Sequence, residues 1–148
     1  MKKLRFSTHI HAPVATVWDT MLAPDTYRAW TSAFCEGSYF EGSWVKGEKI
    51  RFLSPDGEGM FGRIAELRLH EYLSIEMLGC IHGGVEDTTS EEARHWTPGF
   101  ENYAFHASDG GTHLEIDLDT TAEFEPYLQE AWPKALAKLK ALCETSGR

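Results

Sequence analysis

One amphipathic stripe near the C-terminus constrains the fold more than any other feature of this sequence. From residue 124 to residue 143 the spacing predicts a helix with one broad apolar face. Pro133 lies inside this helix, removes one backbone hydrogen bond and is expected to bend it. A face this wide must pack on a large apolar surface elsewhere in the chain. The residues of the stripe are Phe124, Leu128, Ala131, Trp132, Ala135, Leu136, Leu139 and Leu142.

The middle of the chain supplies that surface as strands. Between Glu36 and Ala122 helical spacing is absent, and the runs GEKIRFL, MFGRIAELRL, YLSIEMLGC and ENYAFHASDGGTHLEIDLDT alternate apolar and polar residues. Such alternation is typical of half-buried strands, and SDGG in the last run predicts a hairpin turn. In MFGRIAELRL the phase changes between Ile64 and Leu67, which a β-bulge would explain. With KLRFSTHI near the N-terminus, we expect about six or seven antiparallel strands.

Two short helices are predicted after the first strand, and a long loop is predicted before the last hairpin. The run DTYRAW predicts the second helix, with Asp25 as its N-cap. The segment GGVEDTTSEEARHWTPG has no period and predicts a loop, and its closure over neighbouring structure stays open. The first helix follows Pro13 and carries the apolar stripe Val14, Val17, Trp18, Met21 and Leu22.

These elements predict an α+β protein with a single domain over residues 1–148. A chain of this length fits one domain. An antiparallel sheet with helices confined to one face is one of the few layouts that bury both apolar surfaces. We therefore expect a curved sheet wrapped on the long C-terminal helix. Such a shape tends to leave room between the helix and the sheet.

The composition narrows the classes of molecule that this protein can bind. The net charge is −9, from 14 Lys plus Arg against 23 Asp plus Glu, and this argues against nucleic acid or an anionic membrane as partner. The three cysteines form no C-x-x-C pair. The first residues do not resemble a signal peptide, and no apolar run is long enough to span a membrane. We expect a cytoplasmic protein with reduced thiols.

The motifs of the common enzyme classes are missing from the sequence. No G-x-S-x-G, P-loop, G-x-G-x-x-G or H-E-x-x-H occurs. His9 and His11 share a strand face, as do Cys80 and His82, and either pair could in principle hold a metal. Because no third ligand is placed by the sequence, we interpret the first pair as solvated surface and the second as a strand end. We predict no metal site and no cofactor.

Apolar residues on the inward faces are candidates for the wall of a cavity. Aromatic side chains are common in ligand pockets, but the period alone does not separate lining residues from plain core. We interpret Trp18 and Met21 as core. Arg63 and His95 are the polar candidates beside Tyr103, and His95 could also be an exposed loop residue. The ligand-binding candidates are Trp30, Phe34, Phe52, Ile75, Met77, Trp96, Tyr103, Phe105, Ile116, Trp132 and Leu136.

The sequence resembles the helix-grip fold of the START-like or Bet v 1-like superfamily. Within it the chain is similar to the bacterial homologues of the heat-shock-protein-90 ATPase activator, which are SRPBCC-type domains. The residues that carry the resemblance are IHAPVATVWDTMLAPDTYRAW, the run from Gly62 to Leu67, GGTHLEIDL from Gly110, and WPKALAKLKALCE from Trp132. The resemblance covers nearly the whole chain. It implies a cavity that often binds small hydrophobic molecules without a cofactor, and it implies no single shared reaction.

Three hypotheses about function remain open. The first is binding of a small, largely hydrophobic molecule between the sheet and the C-terminal helix, by a monomer or a homodimer. The second is an enzyme of cyclase or dehydratase type acting on a polyketide-type substrate, which requires at least two titratable groups deep in the cavity. The third is a co-chaperone-like protein that stimulates a chaperone ATPase. Fold-level analogy does not choose among them.

Overall fold

The computed structural model describes residues 2–146, which form eight strands and four helices. The α+β fold expected from the sequence is confirmed. The elements are β1 (Lys2–Ile10), α1 (Val14–Leu22), α2 (Pro24–Thr31), β2 (Tyr39–Gly42), β3 (Lys49–Leu53), β4 (Gly59–Arg68), β5 (Tyr72–His82), β6 (Val85–Asp87), α3 (Glu91–Trp96), β7 (Gly99–Ser108), β8 (Gly111–Thr120) and α4 (Glu125–Ser146).

The strands form one open antiparallel sheet. Its order is β1-β8-β7-β5-β4-β3-β2, and the short strand β6 pairs with the end of β5. The N-terminal strand β1 pairs with β8, so the two ends of the chain meet at one edge of the sheet. The helix α4 packs against β1, α1 and α2 on one face of this sheet. This is the layout that the apolar stripe of α4 requires.

The irregularity expected in the run MFGRIAELRL is present. The pairing of β4 with β5 shifts register between Phe61 and Gly62, and again between Ile64 and Glu66. At the first shift the extra residue is Leu78 of β5, and at the second it is Ala65 of β4, which changes the inward phase of the run between Ile64 and Leu67. Gly62 is required at the first shift, because a Cβ atom there would lie 2.2 Å from the carbonyl oxygen of Glu76.

Two predictions about local structure were wrong. Helix α2 begins at Pro24 with Ala23 as its N-cap, so Asp25 lies in the first turn rather than at the cap. The predicted loop before β7 contains β6 and α3. Ser90 caps α3 by accepting a hydrogen bond from the Ala93 amide at 3.2 Å. Elements this short carry too few residues to show a period.

The first helix and the C-terminal half of α4 complete the apolar core on the inner face of the sheet. Val17 of α1 and Leu139 of α4 are fully buried, as are Ile10 and Leu114 of the strands beneath them. Trp18 packs against Phe105 with ring centroids 5.1 Å apart. Among residues 2–146, no helix is long and apolar enough to cross a membrane.

Candidate functional site

A cavity of about 810 Å³ lies between the sheet, α2 and the N-terminal half of α4. The strands β3, β4, β5, β7 and β8 contribute to its wall, and α3 borders it on one side. Exposed residues such as Phe124 and Tyr127 are part of the wall, so the cavity opens to solvent. A volume of this size is typical of sites for small organic molecules.

Aromatic rings hold the cavity open from the helix side. Trp132 of α4 is buried and contacts Trp30 and Phe34, with ring centroids 6.1 and 4.9 Å away. It also contacts Phe6 of β1 at 5.9 Å and Tyr103 of β7 at 6.2 Å. Rings that pack on one another in this way lose little freedom when a ligand arrives, because each is already fixed by its neighbours.

Helix α2 is anchored by the indole of Trp30. Its Nε1 atom donates a hydrogen bond to the carbonyl oxygen of Met21 at 3.1 Å, inside the protein. Tyr27, one turn earlier, packs against Phe40 and Phe52 with centroids 4.9 and 6.3 Å away. The bond and the ring contacts fix the side of α2 that faces the cavity.

Glu101 supplies one of the carboxyl groups on the cavity wall, and it is paired with a buried phenol. The hydroxyl group of Tyr103 donates a hydrogen bond to Oε2 of Glu101 at 2.7 Å. Burial raises the pKa of Glu101 to about 7, although the bond from Tyr103 acts in the opposite direction. Burial also raises the pKa of Tyr103 and of Tyr27, and the charge of Glu101 adds to both shifts. Near neutral pH Glu101 can therefore either donate or accept a proton.

Glu101 was missed by the sequence interpretation, although a signal for it exists. Tyr103 and Phe105 were assigned to the inward face of their strand, and Glu101 has the same parity as both. A charged residue on an inward face is unusual, because an unpaired buried charge is costly. The alternation therefore marks Glu101 as a functional candidate.

A second polar atom on the wall belongs to Thr121, just after β8. Its Oγ1 atom is buried and has no hydrogen-bond partner among the described residues. Buried hydroxyl groups are nearly always paired with protein or with water. Because this atom has almost no accessible surface, a molecule inside the cavity does not contact it.

The helix α3 brings His95 and Trp96 to the cavity. Trp96 is half-buried, whereas the side chain of His95 is 69% exposed and lies 3.9 Å from Glu91. Nearby, Cys80 and His82 of β5 and Glu92 of α3 place their ligand atoms within 4.8 Å of one another. Within residues 2–146, these three side chains form the one group that is close enough together to hold a metal ion.

The structure separates the predicted site residues into two groups. Trp30, Phe34, Phe52, Met77, Trp96, Tyr103, Trp132 and His95 line the cavity. Ile75, Phe105, Ile116 and Leu136 do not line it, and each is buried in the packed core. They share the inward phase of the lining residues but pack inside the buried core cluster. The alternation of a strand shows which face each residue lies on, but it does not show which part of that face borders the cavity.

Arg63 does not reach the cavity. Its Nε atom pairs with Oε1 of Glu76 at 2.6 Å, and its side chain is 52% exposed. Arg63 follows Gly62 at the first register shift and alternates with the buried Ile64, so its side chain lies on the outer face of β4. The placement of Arg63 among the polar cavity groups was wrong.

The fold is shared with proteins of solved structure. Protein MLL2253 from Mesorhizobium loti superposes with a TM-score of 0.75 at 12% identity, over 97% of this chain and 98% of its own. The Aha1 dimer from Colwellia psychrerythraea superposes with a TM-score of 0.74 at 15% identity, with 97% of each chain covered. DynU16, from the dynemicin biosynthetic locus, gives 0.72 at 16% identity, over 99% of this chain and 49% of DynU16. At these identities the likeness shows the fold alone.

The sequence itself identifies the family. A search of curated proteins finds no match to this chain. The family model described as "Activator of Hsp90 ATPase homolog 1-like protein" matches residues 11–144, from the segment before α1 to the last turns of α4. The motifs that resembled this family lie almost entirely inside the matched range, and the expectation they raised is confirmed. The chain belongs to the Activator of Hsp90 ATPase homolog 1-like family.

Proposed function

We propose that the protein binds a small, largely apolar molecule in the cavity between the sheet and α4. The observation that carries the proposal is the cavity of about 810 Å³, walled by aromatic rings and holding the Glu101–Tyr103 pair. Sites of this kind take affinity from apolar surface and orientation from a few polar groups. The residues proposed to contact the ligand are Trp30, Phe34, Phe52, Met77, Trp96, Tyr103 and Trp132.

The apolar wall supplies enough free energy for useful affinity. A ligand that buries about 300 Å² of apolar surface gains on the order of 7 kcal/mol, at roughly 25 cal/mol per Å². Part of this gain is lost to the freedom that the ligand gives up on binding. The protein side of that loss is small, because the rings around Trp132 already hold one another in place.

The polar groups define what the ligand carries. Glu101 in its protonated form donates to a carbonyl oxygen, and in its ionised form accepts from a hydroxyl group. We therefore propose a ligand with an apolar ring system or chain that bears at least one carbonyl or hydroxyl group.

The first test uses the fluorescent probe anilinonaphthalene sulfonate with two matched variants of α4. Leu128 and Leu142 are both half-buried, but only Leu128 lines the cavity. We expect Leu128→Trp to fill the cavity and weaken probe binding at least fivefold, and Leu142→Trp to leave it unchanged. Equal affinities in both variants would place the probe elsewhere and contradict the proposal. Native mass spectrometry of gently purified protein then identifies any molecule that copurifies.

A second candidate function is catalysis of a dehydration or a cyclisation in the same cavity. The observation that favours it is a carboxyl group with a pKa of about 7, placed 2.7 Å from a phenol. The relationship to DynU16, which comes from a biosynthetic locus, supports the same hypothesis. In a dehydration, ionised Glu101 would take the proton next to the ketone and then give it to the hydroxyl group, which leaves as water while the C=C bond forms.

The enzyme hypothesis is tested with an aryl β-hydroxy ketone, whose dehydration gives an enone that absorbs in the ultraviolet. We expect Glu101→Gln to abolish turnover while it keeps the affinity for anilinonaphthalene sulfonate. A wild-type protein that binds the ketone without forming enone would leave binding as the function. Turnover that survives in Glu101→Gln would exclude Glu101 as the base.

The assembly and location of the protein are also proposals. We propose a monomer or a homodimer, supported by the dimer of the Colwellia psychrerythraea relative. The three cysteines are free thiols, and this supports a reducing cytoplasmic location. Size-exclusion chromatography with light scattering over a concentration series distinguishes the two assembly states.

A further inference from the structure

The end of β5 and the start of α3 bring together three side chains with different donor atoms. Cys80 and His82 are two positions apart on β5, so their side chains share one face of the strand. Glu92 reaches the same point from the first turn of α3. The thiol sulfur, an imidazole nitrogen and a carboxylate oxygen all lie within 4.8 Å of one another.

The imidazole of His82 is held in the orientation of a metal ligand. Its Nδ1 atom lies 3.1 Å from Oε1 of Glu58, and the other oxygen of Glu58 accepts a hydrogen bond from the Gly83 amide at 2.7 Å. Metal-ligating histidines usually donate their second ring N–H to a carboxylate in this way. In the tautomer whose Nδ1–H donates to Glu58, the Nε2 atom is free to bind a metal, and Oε2 of Glu92 lies 3.5 Å from it.

The backbone around the three side chains is fixed by Asp87 of β6. Its Oδ1 atom accepts hydrogen bonds from the amides of Thr89 and Ser90, and Ser90 in turn caps α3. Asp87 also pairs with Cys80 across the β5–β6 hairpin. The short hairpin, the hydrogen bonds of Asp87 and the capped helix therefore keep Glu92 beside Cys80 and His82.

The local charge is negative and favours a cation. Glu58, Asp87 and Glu92 surround His82, and Oδ2 of Asp87 lies 3.8 Å from its Nε2. Within residues 2–146, no lysine or arginine forms an ion pair with any of these three carboxylates; Lys49 and Arg51 pair with Glu86 instead. A divalent cation would offset the repulsion among the carboxylates.

We propose that Cys80, His82 and Glu92 form a zinc site whose open coordination position faces the cavity. A set of one sulfur, one nitrogen and one oxygen ligand suits Zn²⁺, and three protein ligands leave a position free. Cys80 and Glu92 are both part of the cavity wall, so the free position lies toward the cavity contents. On binding, the Cys80 thiol releases its proton to solvent, because the thiolate is the ligand.

A zinc ion at this place would act on the cavity contents as a Lewis acid. It could hold a carbonyl, hydroxyl or carboxylate oxygen of a molecule in the cavity. The site is separate from the Glu101–Tyr103 pair, and the proposal does not depend on which ligand the cavity takes. It reverses the prediction that Cys80 and His82 are a strand end without a metal, which was made because the third ligand, Glu92, comes from a different element.

The test titrates the full chain with Co²⁺ and follows its absorption spectrum, then repeats the titration with Zn²⁺ as competitor. Thiolate ligation gives a charge-transfer band in the near ultraviolet, and we expect Zn²⁺ to displace it. Cys80→Ser should abolish the band, and His82→Gln and Glu92→Gln should each weaken Co²⁺ binding at least tenfold. The matched controls Cys35→Ser, with an exposed thiol, and His113→Gln, on β8 where it pairs with Glu115, should bind as the wild type does.

Three results would overturn the proposal. The first is a wild-type protein with no charge-transfer band, and the second is a band that survives in Cys80→Ser. The third is unchanged Co²⁺ affinity in Glu92→Gln. The side chain of Glu92 is 52% exposed, so this variant does not endanger folding and its result stands even if Cys80→Ser misfolds. Circular dichroism of each variant checks the fold before titration.

Discussion

The inner face of the sheet has two halves that both carry many apolar side chains and have opposite outcomes. Under α1 and the C-terminal half of α4, side chains such as Val17, Leu114 and Leu139 are fully buried and fill the space. Under α2 and the N-terminal half of α4, aromatic rings and polar residues such as Glu101 surround a cavity of about 810 Å³. The presence of apolar side chains therefore does not decide by itself whether a region of this fold becomes core or cavity.

The difference lies in what each helix presents to the sheet. In the filled half, α1 contributes Val17 and Met21, which are compact enough to interdigitate with strand residues. In the hollow half, Trp30, Phe34 and Trp132 contact one another and stand between the helices and the sheet. Large rings that pack mainly on each other span a gap without filling it. We infer that stability resides mainly in the filled half and binding in the hollow half.

Truncation of one leucine in each half of α4 gives the largest expected difference. Leu139→Ala leaves a void in a packed region and is expected to lower the free energy of unfolding by about 2–5 kcal/mol. Leu128→Ala enlarges a cavity that already exists, so we expect a loss below about 1.5 kcal/mol. Urea unfolding of both variants measures the two losses. Equal losses would mean that the wall around Leu128 is as tightly packed as the core.

The second prediction concerns the pH dependence that Glu101 gives to stability. Unfolded glutamate loses its proton near pH 4.5, whereas Glu101 in the folded protein keeps its proton to a pKa of about 7. Between these values the folded state binds more protons than the unfolded state, so stability falls as the pH rises. Between pH 5 and pH 8, we expect the free energy of unfolding to fall by about 2 kcal/mol more in the wild type than in Glu101→Gln.

This figure is below the full value of the pKa shift, because Glu101 is only half-buried and solvent screens part of the effect. Comparison with Glu101→Gln removes the effects of the other carboxyl groups, including Glu58 and Asp87, whose pKa values are lowered by hydrogen bonds. Chemical unfolding at four pH values gives both curves. Parallel curves would show that the carboxyl group is solvated as in an ordinary surface residue.

The filled half could be predicted from sequence more completely than the hollow half. The stripe of α4, the alternation of the strands and the bulge in β4 follow from periods that extend over many residues, and all are present. The short elements β6 and α3 were missed because three and six residues do not show a period. A periodic pattern also does not show how far along the helix the cavity extends. Leu136 was therefore predicted to line the cavity together with Trp132, which shares its stripe.

The candidate site depends on contacts between distant segments. Glu101 could have been found, because its parity places a carboxylate on an inward face. Glu92 could not have been joined to Cys80 and His82, because the geometry of α3 relative to β5 is set by the cap at Ser90 and by Asp87. Local patterns give the face of each residue, and only packing brings the faces together.

The third prediction tests whether Trp30 serves both halves. Trp30→Phe removes the hydrogen bond to the Met21 carbonyl and is expected to cost about 1–2 kcal/mol of stability. Because Trp30 also lines the cavity, we expect weaker binding of anilinonaphthalene sulfonate as well. Trp44→Phe is the matched control, since its indole donates to the Leu22 carbonyl at 3.0 Å but does not line the cavity. Loss of probe affinity in both variants would point to a general loosening around the end of α1, whose carbonyl groups accept both bonds.

The smallest effect is expected on the outer face of the sheet. Arg63 pairs with Glu76 at 2.6 Å, but its side chain is 52% exposed, and ion pairs of this kind contribute about 0–1 kcal/mol. We expect Arg63→Ala to lower stability within that range, with the loss reduced further in high salt. Binding of the anionic probe should not change, because the guanidinium group is separated from the cavity by the thickness of β4. If Arg63→Ala instead weakened probe binding severalfold, Arg63 would have to reach the cavity, and the two faces of the sheet would not be independent.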